Sequence, residues 1–259
     1  MVIPTVSSYC EDSMSIRSRI SGMLRGVLRR SGREVVPYDA QHFFSLQRSR
    51  LMATRGINLV LDVGANTGQT GLELREQGYR GRIVSFEPLS GPFAELSRAA
   101  ALDGNWEAVR TALGAEAGSA EINVSGWLPS SSLLPMCGRH VSMLPQSQYV
   151  GTETVRIGRL DDLLPGLTRP GERILLKVDT QGFELAVLRG AAVSLRQIEI
   201  VQLEVLFTDL YEGAPKYHDV MRHIDEQGFD LAGISPSFFE QRTFQFLVAD
   251  AIFSRRGAV

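Results

Sequence analysis

The chain has 259 residues, of which 44% are apolar and 22% charged, close to the globular average. This excludes a disordered chain, a collagen-like chain and a disulfide scaffold, and the length allows one or two domains. With 27 basic against 29 acidic residues the net charge is −2, so the strong basic field that non-specific nucleic-acid binding needs is missing.

The two cysteines, Cys10 and Cys137, sit in no C-x-x-C or Cys/His cluster, which gives no structural zinc site and fits a reducing, cytoplasmic compartment. No run of about 18 apolar residues is present. The N-terminus lacks the apolar stretch and small-residue cleavage site of a secretory signal.

Residues 1–13 are polar and mixed. From Met14 the pattern turns helical: Ile16, Ile20, Met23, Leu24, Val27 and Leu28 recur at helix spacing, with arginines on the other faces. Ser31-Gly32 ends the run. Residues 1–35 carry six arginines against Glu11, Asp12 and Glu34, a net of +3. One reading is a basic amphipathic helix over 14–30 in peripheral contact with an anionic membrane surface. The other is a surface helix packed on the rest of the protein, and ordinary surface helices share this periodicity. The expected organisation is therefore a tail and basic helix over 1–37, then one domain over 38–259.

A second helix is expected over 38–55. From there strands and helices alternate. Strands are expected at 59–63, 82–86, 106–111, 174–178, 200–205, 231–234 and 245–253, and helices at 70–77, 91–102, 183–188 and 217–227. Such alternation argues for a largely parallel sheet with helices on both faces. The last two strands are joined by about ten residues, which suggests an antiparallel pair at one edge. Residues 115–160 break the rhythm. Segments 120–124 and 153–157 are expected to pair as short strands around a Ser/Pro/Gly-rich stretch, and long loops of this kind are usually functional or mobile.

The strongest chemical signal is Leu59-Val-Leu-Asp-Val-Gly-Ala-Asn-Thr-Gly-Gln-Thr70. An apolar strand ends in Asp62, turns through Gly64 to Gly68 and opens a helix. That turn sets backbone N–H groups and a helix N-terminus at the carboxyl edge of the sheet, a site for an anionic ligand group. The dinucleotide fingerprint G-x-G-x-x-G is incomplete, because Asn66 stands where its second glycine would be. A nicotinamide oxidoreductase is disfavoured on that ground. The run instead resembles D-x-G-x-x-x-G, the first motif of S-adenosylmethionine-dependent methyltransferases.

The second strand ends Ser85-Phe-Glu-Pro88, and Glu87 lies 23 residues after Gly64. An acid at that spacing accepts both ribose hydroxyls of an adenosine, while Pro88 breaks the strand. The adenine ring is expected beside Ala112 and Leu113, which plain core packing explains equally well. A later strand ends Leu176-Lys-Val-Asp-Thr-Gln-Gly-Phe-Glu184. Lys177 and Asp179 share one face. Asp179 is read as a general base or as the holder of a cofactor amino group, against a helix cap or a charge pair with Lys177. Glu204 lies at a comparable height on the next strand. Phe207, Leu210 and Tyr211 follow, either as a cover for an acceptor or as an apolar lid on its neighbours. The run Ser130-Ser-Ser-Leu-Leu134 is compatible with a solvated linker. Among His42, His140, His218 and His223 no metal spacing appears. His42 and His140 are candidate bases, with surface or capping roles as the default.

Taken together these residues resemble the FkbM-type methyltransferases. The matching pieces are Asp62-Val-Gly-Ala-Asn-Thr-Gly68, Phe86-Glu-Pro88, Ser130-Ser-Ser-Leu133, Lys177-Val-Asp-Thr-Gln-Gly-Phe-Glu184 with Val187-Leu-Arg-Gly-Ala191, Glu204, and Asp250-Ala-Ile-Phe253. They run in order over 58–253, and residues 1–37 lie outside them. The resemblance implies an α/β, Rossmann-like class I methyltransferase fold. That fold is a seven-stranded, mostly parallel sheet with an antiparallel edge hairpin, here preceded by N-terminal helices. It also implies S-adenosyl-L-methionine as cofactor and O-methylation of hydroxyls on sugars, polyketides and related natural products. The chain is similar as well to members that methylate deoxysugars of cell-envelope glycolipids.

The cofactor-binding set so read comprises Asp62, Gly64, Ala65, Asn66, Thr67, Gly68, Glu87, Pro88, Ala112, Leu113 and Asp179. The catalytic candidates are Asp179, then Glu204 and His140. Asp179 and Glu204 lack a clear third oxygen ligand, so no metal is assigned. The expected acceptor is a small-molecule or glycolipid hydroxyl, with no nucleic-acid partner. The alternatives are a polyketide-type acceptor and a non-catalytic S-adenosylmethionine-binding module.

Overall fold

The computed structural model describes residues 28–32, 39, 43–240 and 242–257. The chain divides into two compact units, Met1–Phe43 and Phe44–Val259. In the first, Leu28 to Arg30 are helical and close in a turn in which the Ser31 and Gly32 N–H groups donate to the carbonyls of Leu28 and Arg29. This agrees with the stop expected at Ser31-Gly32. Most of the basic helix expected over 14–30, and Cys10 and His42, lie outside the described residues.

The second unit holds helix α1 (Phe44–Thr54), strand β1 (Leu59–Val63), α2 (Gln69–Glu76), β2 (Arg82–Phe86), α3 (Ser90–Asp103) and β3 (Trp106–Val109). There follow β4 (Ala112–Leu113), β5 (Gly118–Ser125), α4 (Gly138–Met143), β6 (Tyr149–Gly158), α5 (Leu160–Leu167) and β7 (Ile174–Val178). The unit ends with α6 (Glu184–Arg189), β8 (Ile198–Leu206), α7 (Tyr217–Glu226), β9 (Phe229–Phe239) and β10 (Phe246–Arg255).

The main sheet has seven strands in the order β3-β2-β1-β7-β8-β10-β9. The pairs β3/β2, β2/β1, β1/β7 and β7/β8 are parallel, and β10 runs antiparallel to both its neighbours. This is the Rossmann-like arrangement with an antiparallel edge that the alternation and the short last connection implied. Strands β1 and β7 are buried along their whole length, as central strands covered on both faces must be.

Side-chain alternation splits the core in two. Leu59, Leu61 and Val63 face α5, α6 and α7, with Leu164, Leu188 and Ile224 behind them. Val60, Leu175 and Ile200 face α1, α2 and α3, with Met52, Leu74 and Leu96. Because β1 and β7 bury apolar residues on both faces, their polar residues near the carboxyl ends are held in fixed, dry positions.

Three features depart from the sequence reading. The strand expected over 106–111 is broken: β3 stops at Val109, and β4 joins β6 in a second sheet of order β4-β6-β5. Backbone turning is the cause, since the Thr111 N–H bonds back to the Val109 carbonyl at 3.0 Å. Helix α5 was not expected; it carries Pro165 inside its eight residues. The Ser/Pro/Gly-rich stretch is ordered rather than an open linker. Ser130 and Ser132 are buried, and the loop is fastened by Ser125 Oγ donating to the Ser147 carbonyl at 2.7 Å and Ser132 Oγ donating to the Gln181 carbonyl at 2.7 Å. The pairing expected around it holds, with Ala120 opposite Val155 and Ile122 opposite Glu153. Among the described residues no helix is long and apolar enough to cross a membrane.

Candidate active site

The carboxyl ends of β1, β2 and β7 meet at one cavity of about 320 Å³. Of the residues singled out in the sequence, Gly64, Ala65, Asn66, Glu87, Pro88, Ala112, Leu113, Asp179 and Glu204 line it. Asp62, Thr67, Gly68 and His140 do not.

The turn after β1 is set by two close approaches. Gly64 has φ +77°, and a Cβ there would lie 1.8 Å from the Asp179 carbonyl oxygen. Only glycine lets the β1 turn pack against the β7 end in this way. Gly68 has φ +96° and sits against the Trp106 and Leu96 side chains. Between them Asn66 takes a left-handed conformation, φ 49°, which asparagine tolerates better than most residues.

The expectation that this turn offers its N–H groups to an anion changes here. Gly64 and Ala65 N–H both donate to the Phe86 carbonyl at 3.0 Å, and the Gly68 N–H donates to the Ala65 carbonyl at 2.8 Å. The Asn66 N–H donates to Glu87 Oε2 at 2.8 Å. These donors are spent inside the protein. An anionic ligand group must be met instead by the first turn of α2, where Gln69 and Thr70 line the cavity.

Glu87 is buried at the tip of β2. Its second oxygen accepts the Leu89 N–H at 2.9 Å. Burial pushes its carboxyl up to about 7, against the lowering effect of the Leu89 and Asn66 N–H groups. Each oxygen keeps a free lone pair. Beside it, Leu89, Ala112 and Ile122 form a small apolar cluster with Val155, and these three line the cavity together with Leu113.

At the other end lies a linked set of charges. Asp62 is fully buried beneath the cavity. The Lys177 ammonium stands 3.4 Å from Asp62 Oδ1 and 3.3 Å from Asp179 Oδ2. Ser85 Oγ donates to Asp62 Oδ2 at 3.4 Å, and Trp106 Nε1 donates to Ser85 Oγ at 2.9 Å. Burial raises the Asp62 carboxyl above its ordinary value although Lys177 opposes this. Burial by itself lowers the Lys177 ammonium, but Asp179, Asp62 and Asp250 outweigh it and hold the group above its usual value. Lys177 is therefore a fixed cation. Asp179 does make the charge pair with Lys177, yet its side chain stays about a third exposed, at 34%, and faces the cavity.

Gln181 is a residue that sequence reasoning passed over. It is another non-glycine residue with left-handed backbone, φ 54°. Its amide donates to Asp179 Oδ1 at 2.9 Å and to Glu204 Oε2 at 2.7 Å, and its Oε1 accepts the Tyr211 hydroxyl at 2.7 Å. It thus bridges two carboxylates that would otherwise repel each other. Burial, then Asp179, Glu184 and Asp250, push the Glu204 carboxyl well above its ordinary range. Glu184 accepts the Thr180 and Gly182 N–H groups and shapes the same loop. Its place inside the 177–184 motif was the available signal for Gln181.

The remaining candidates lie elsewhere. His140 is buried with Nε2 3.5 Å from Ser130 Oγ and its ring edge-on to Tyr211, and burial lowers its pKa below the ordinary histidine value. It does not reach the cavity wall. Leu210 and Tyr211 are buried with Leu206 and Val248, and Phe207 stacks on Tyr217 at 5.0 Å. Tyr211 supports Gln181, and none of the three lines the cavity. Among the described residues no group of three or more His, Cys, Asp or Glu is placed to hold a metal ion.

Residues 62–231 match the methyltransferase FkbM domain, and the chain belongs to that family of methyltransferases. It is 28% identical over 194 residues to the methyltransferase sdnD of Sordaria araneosa, covering 66% of this chain and 73% of that protein. Solved structures similar to it are remote. An rRNA methylase from Streptococcus thermophilus has 10% identity and a TM-score of 0.43, covering 81% of this chain and 95% of that one. Precorrin-6y C5,15-methyltransferase from Geobacter metallireducens has 11% identity and a TM-score of 0.42, covering 80% of this chain and 87% of that one.

Gly64→Ala places a methyl group against the Asp179 carbonyl and forces an L-residue into the left-handed region. The backbone strain alone costs about 1–3 kcal/mol. Urea denaturation should show a loss at least that large; a change within about 0.5 kcal/mol would mean that the β1–β7 contact is not tight.

Proposed function

We propose that the cavity binds S-adenosyl-L-methionine and that the protein is an O-methyltransferase. Its acceptor is a sugar hydroxyl, in the best-supported case on a deoxysugar of a glycolipid or another glycosylated natural product. The observation that carries this reading is the spread of functions along one crevice. Glu87 and an apolar wall stand at one end, and the Lys177-held Asp179 carboxylate stands at the other.

The residues present fit the cofactor. Glu87 has two oxygens with spare acceptor capacity for a ribose diol. Leu89, Ala112 and Ile122 offer an apolar surface to a purine. Gln69 and Thr70 at the start of α2, with Lys177, suit a carboxylate. When bound, the cofactor supplies a sulfonium methyl that is already electrophilic.

The protein's own task is then orientation and proton removal. Asp179 is the group placed to hold the acceptor hydroxyl and to accept its proton. The Lys177 ammonium and the Gln181 amide fix the Asp179 carboxylate so that its rotamer is already set. Glu204, shifted upward, is poorly suited to be the base and better suited to share a proton with this network.

Two results test the reading. Glu87 ionises near 7. A ligand that needs its charged form binds more tightly as pH rises through that value, because the upward-shifted acid must first lose its proton. Calorimetry should therefore show S-adenosylhomocysteine affinity rising about tenfold from about pH 6 to about pH 8. Glu87→Gln should flatten that rise and Glu87→Ala should weaken binding throughout; an unchanged affinity in Glu87→Ala would remove the ribose assignment. Separately, Asp179→Asn should cut transfer of labelled methyl groups into an extracted glycolipid fraction by about 10²-fold or more, with S-adenosylhomocysteine binding retained. Full transfer by that variant would take Asp179 out of proton removal.

A further inference from the structure

Tyr211 is almost wholly buried, 1% exposed, and does not line the cavity. Its ring stands edge-on to His140 at 5.2 Å and packs among Leu206, Leu210 and Val248. That packing needs a ring and has no use for a hydroxyl. The hydroxyl instead meets two acceptors, Gln181 Oε1 at 2.7 Å and the Ser130 carbonyl at 3.2 Å. We propose that Tyr211 is a positioning residue for methyl transfer. Its hydroxyl holds the Gln181 amide with the donating end toward Asp179 and Glu204, and thereby sets the charge on that pair of carboxyl groups. The proposal rests on the reading of Asp179 as the proton acceptor.

The argument starts from the amide, which has a donating end and an accepting end of nearly equal shape. With Nε2 inward, its N–H groups serve Asp179 Oδ1 at 2.9 Å and Glu204 Oε2 at 2.7 Å. Turned over, it would set an oxygen against both carboxyl groups, and the Tyr211 proton would pass to Ser130. The hydroxyl has one proton to give, and the shorter contact commits it to Gln181. Burial, then Glu204, holds the hydroxyl well above the ordinary tyrosine value, so it stays a donor. Ser132 Oγ separately holds the Gln181 main-chain carbonyl at 2.7 Å. Backbone and side chain of Gln181 are thus restrained by different residues.

An N–H bond to a carboxylate favours its charged form. Here that preference matters because the surroundings are acidic. Asp179 is flanked by Lys177 of β7, Asp62 of β1, Glu184 of α6, Glu204 of β8 and Asp250 of β10. Arg48 of α1 and Glu73 of α2 line a cavity with it. Tyr211 is flanked by Glu204, Glu184, Tyr149 and His140. Losing the Tyr211 hydroxyl changes none of these groups. It leaves Gln181 Oε1 without its donor, and an amide with an unpaired end turns to recover a partner. The inner N–H bonds are lost with that turn, so the bridged pair binds protons more tightly and gains its charge only at higher pH.

Carbon-13 NMR of the full chain, labelled at the Asp and Glu side-chain carboxyls and titrated with no ligand present, tests this. Tyr211→Phe keeps the ring and removes only the hydroxyl. The titration midpoint of the bridged pair should move up by about one pH unit, a roughly tenfold rise in proton affinity. Gln181→Glu keeps the shape of the side chain but replaces its donors, and should move the midpoint at least as far. Ser132→Ala loosens only the main chain and should leave the midpoint in place. Transfer of labelled methyl groups into the extracted glycolipid fraction should follow the same order. Tyr211→Phe should be about tenfold slower than wild type below the midpoint and close to wild type above it. Its S-adenosylhomocysteine affinity should stay within about twofold. An unmoved midpoint in Tyr211→Phe, an equal movement in Ser132→Ala, or a rate loss of the same size at every pH would overturn the proposal. Loss of S-adenosylhomocysteine binding in Tyr211→Phe would make the residue structural and overturn it too. No transfer by the wild type at any pH, with the midpoint moved as expected, would instead remove the methyl-transfer reading and the catalytic meaning of this contact.

Discussion

The Lys177 ammonium, buried between the carboxylates of Asp62 and Asp179, is the interaction on which the rest of the site depends. A cation taken out of water is tolerated only with close opposite charge, and carboxylates at that depth need the cation equally. Removing Lys177 would leave the Asp62 carboxylate buried without its cation. The pair therefore fixes how the end of β1 meets the end of β7. The Gly64 turn packs against the Asp179 carbonyl at that same point, so backbone and side chains agree on one geometry.

Around this cation the carboxylates are graded by environment. Asp62 is sealed beneath the cavity and works on Lys177 rather than on a ligand. Asp179 is held by Lys177 and Gln181 but remains accessible. Glu204 is buried deeper, near three other acids, and is pushed upward. The Gln181 amide lets Asp179 and Glu204 approach each other, and Tyr211 and Ser132 hold Gln181 in turn. This explains why the serine run of the long loop is buried: its job is to support the strained Gln181 turn. The result is one sealed carboxyl group, one accessible carboxylate and one raised acid arranged around a single cation.

Much of this was legible in the sequence because it follows from local pattern. The apolar run 59–63, the glycine turn after it and the acid 23 residues beyond Gly64 need only strand and turn chemistry to interpret. The parallel sheet and its antiparallel edge followed from alternation and connection length. What was not legible depends on long-range partners. The break between β3 and β4 reflects a second sheet whose other strand is more than forty residues away. The spent N–H groups of the Gly64 turn depend on the Phe86 carbonyl and on Glu87. Asp62, read as a cofactor contact, is sealed because β2 and β7 flank it in register.

The central claim is that the crevice over Lys177 holds a sulfonium nucleoside between Glu87 and Asp179. A crystal structure of the protein grown with S-adenosylhomocysteine tests it most directly. The account predicts the ribose on the Glu87 carboxylate, the purine against Leu89, Ala112 and Ile122, and the sulfur facing Asp179. A crevice left empty at saturating ligand, or a nucleoside bound away from Glu87, would contradict it.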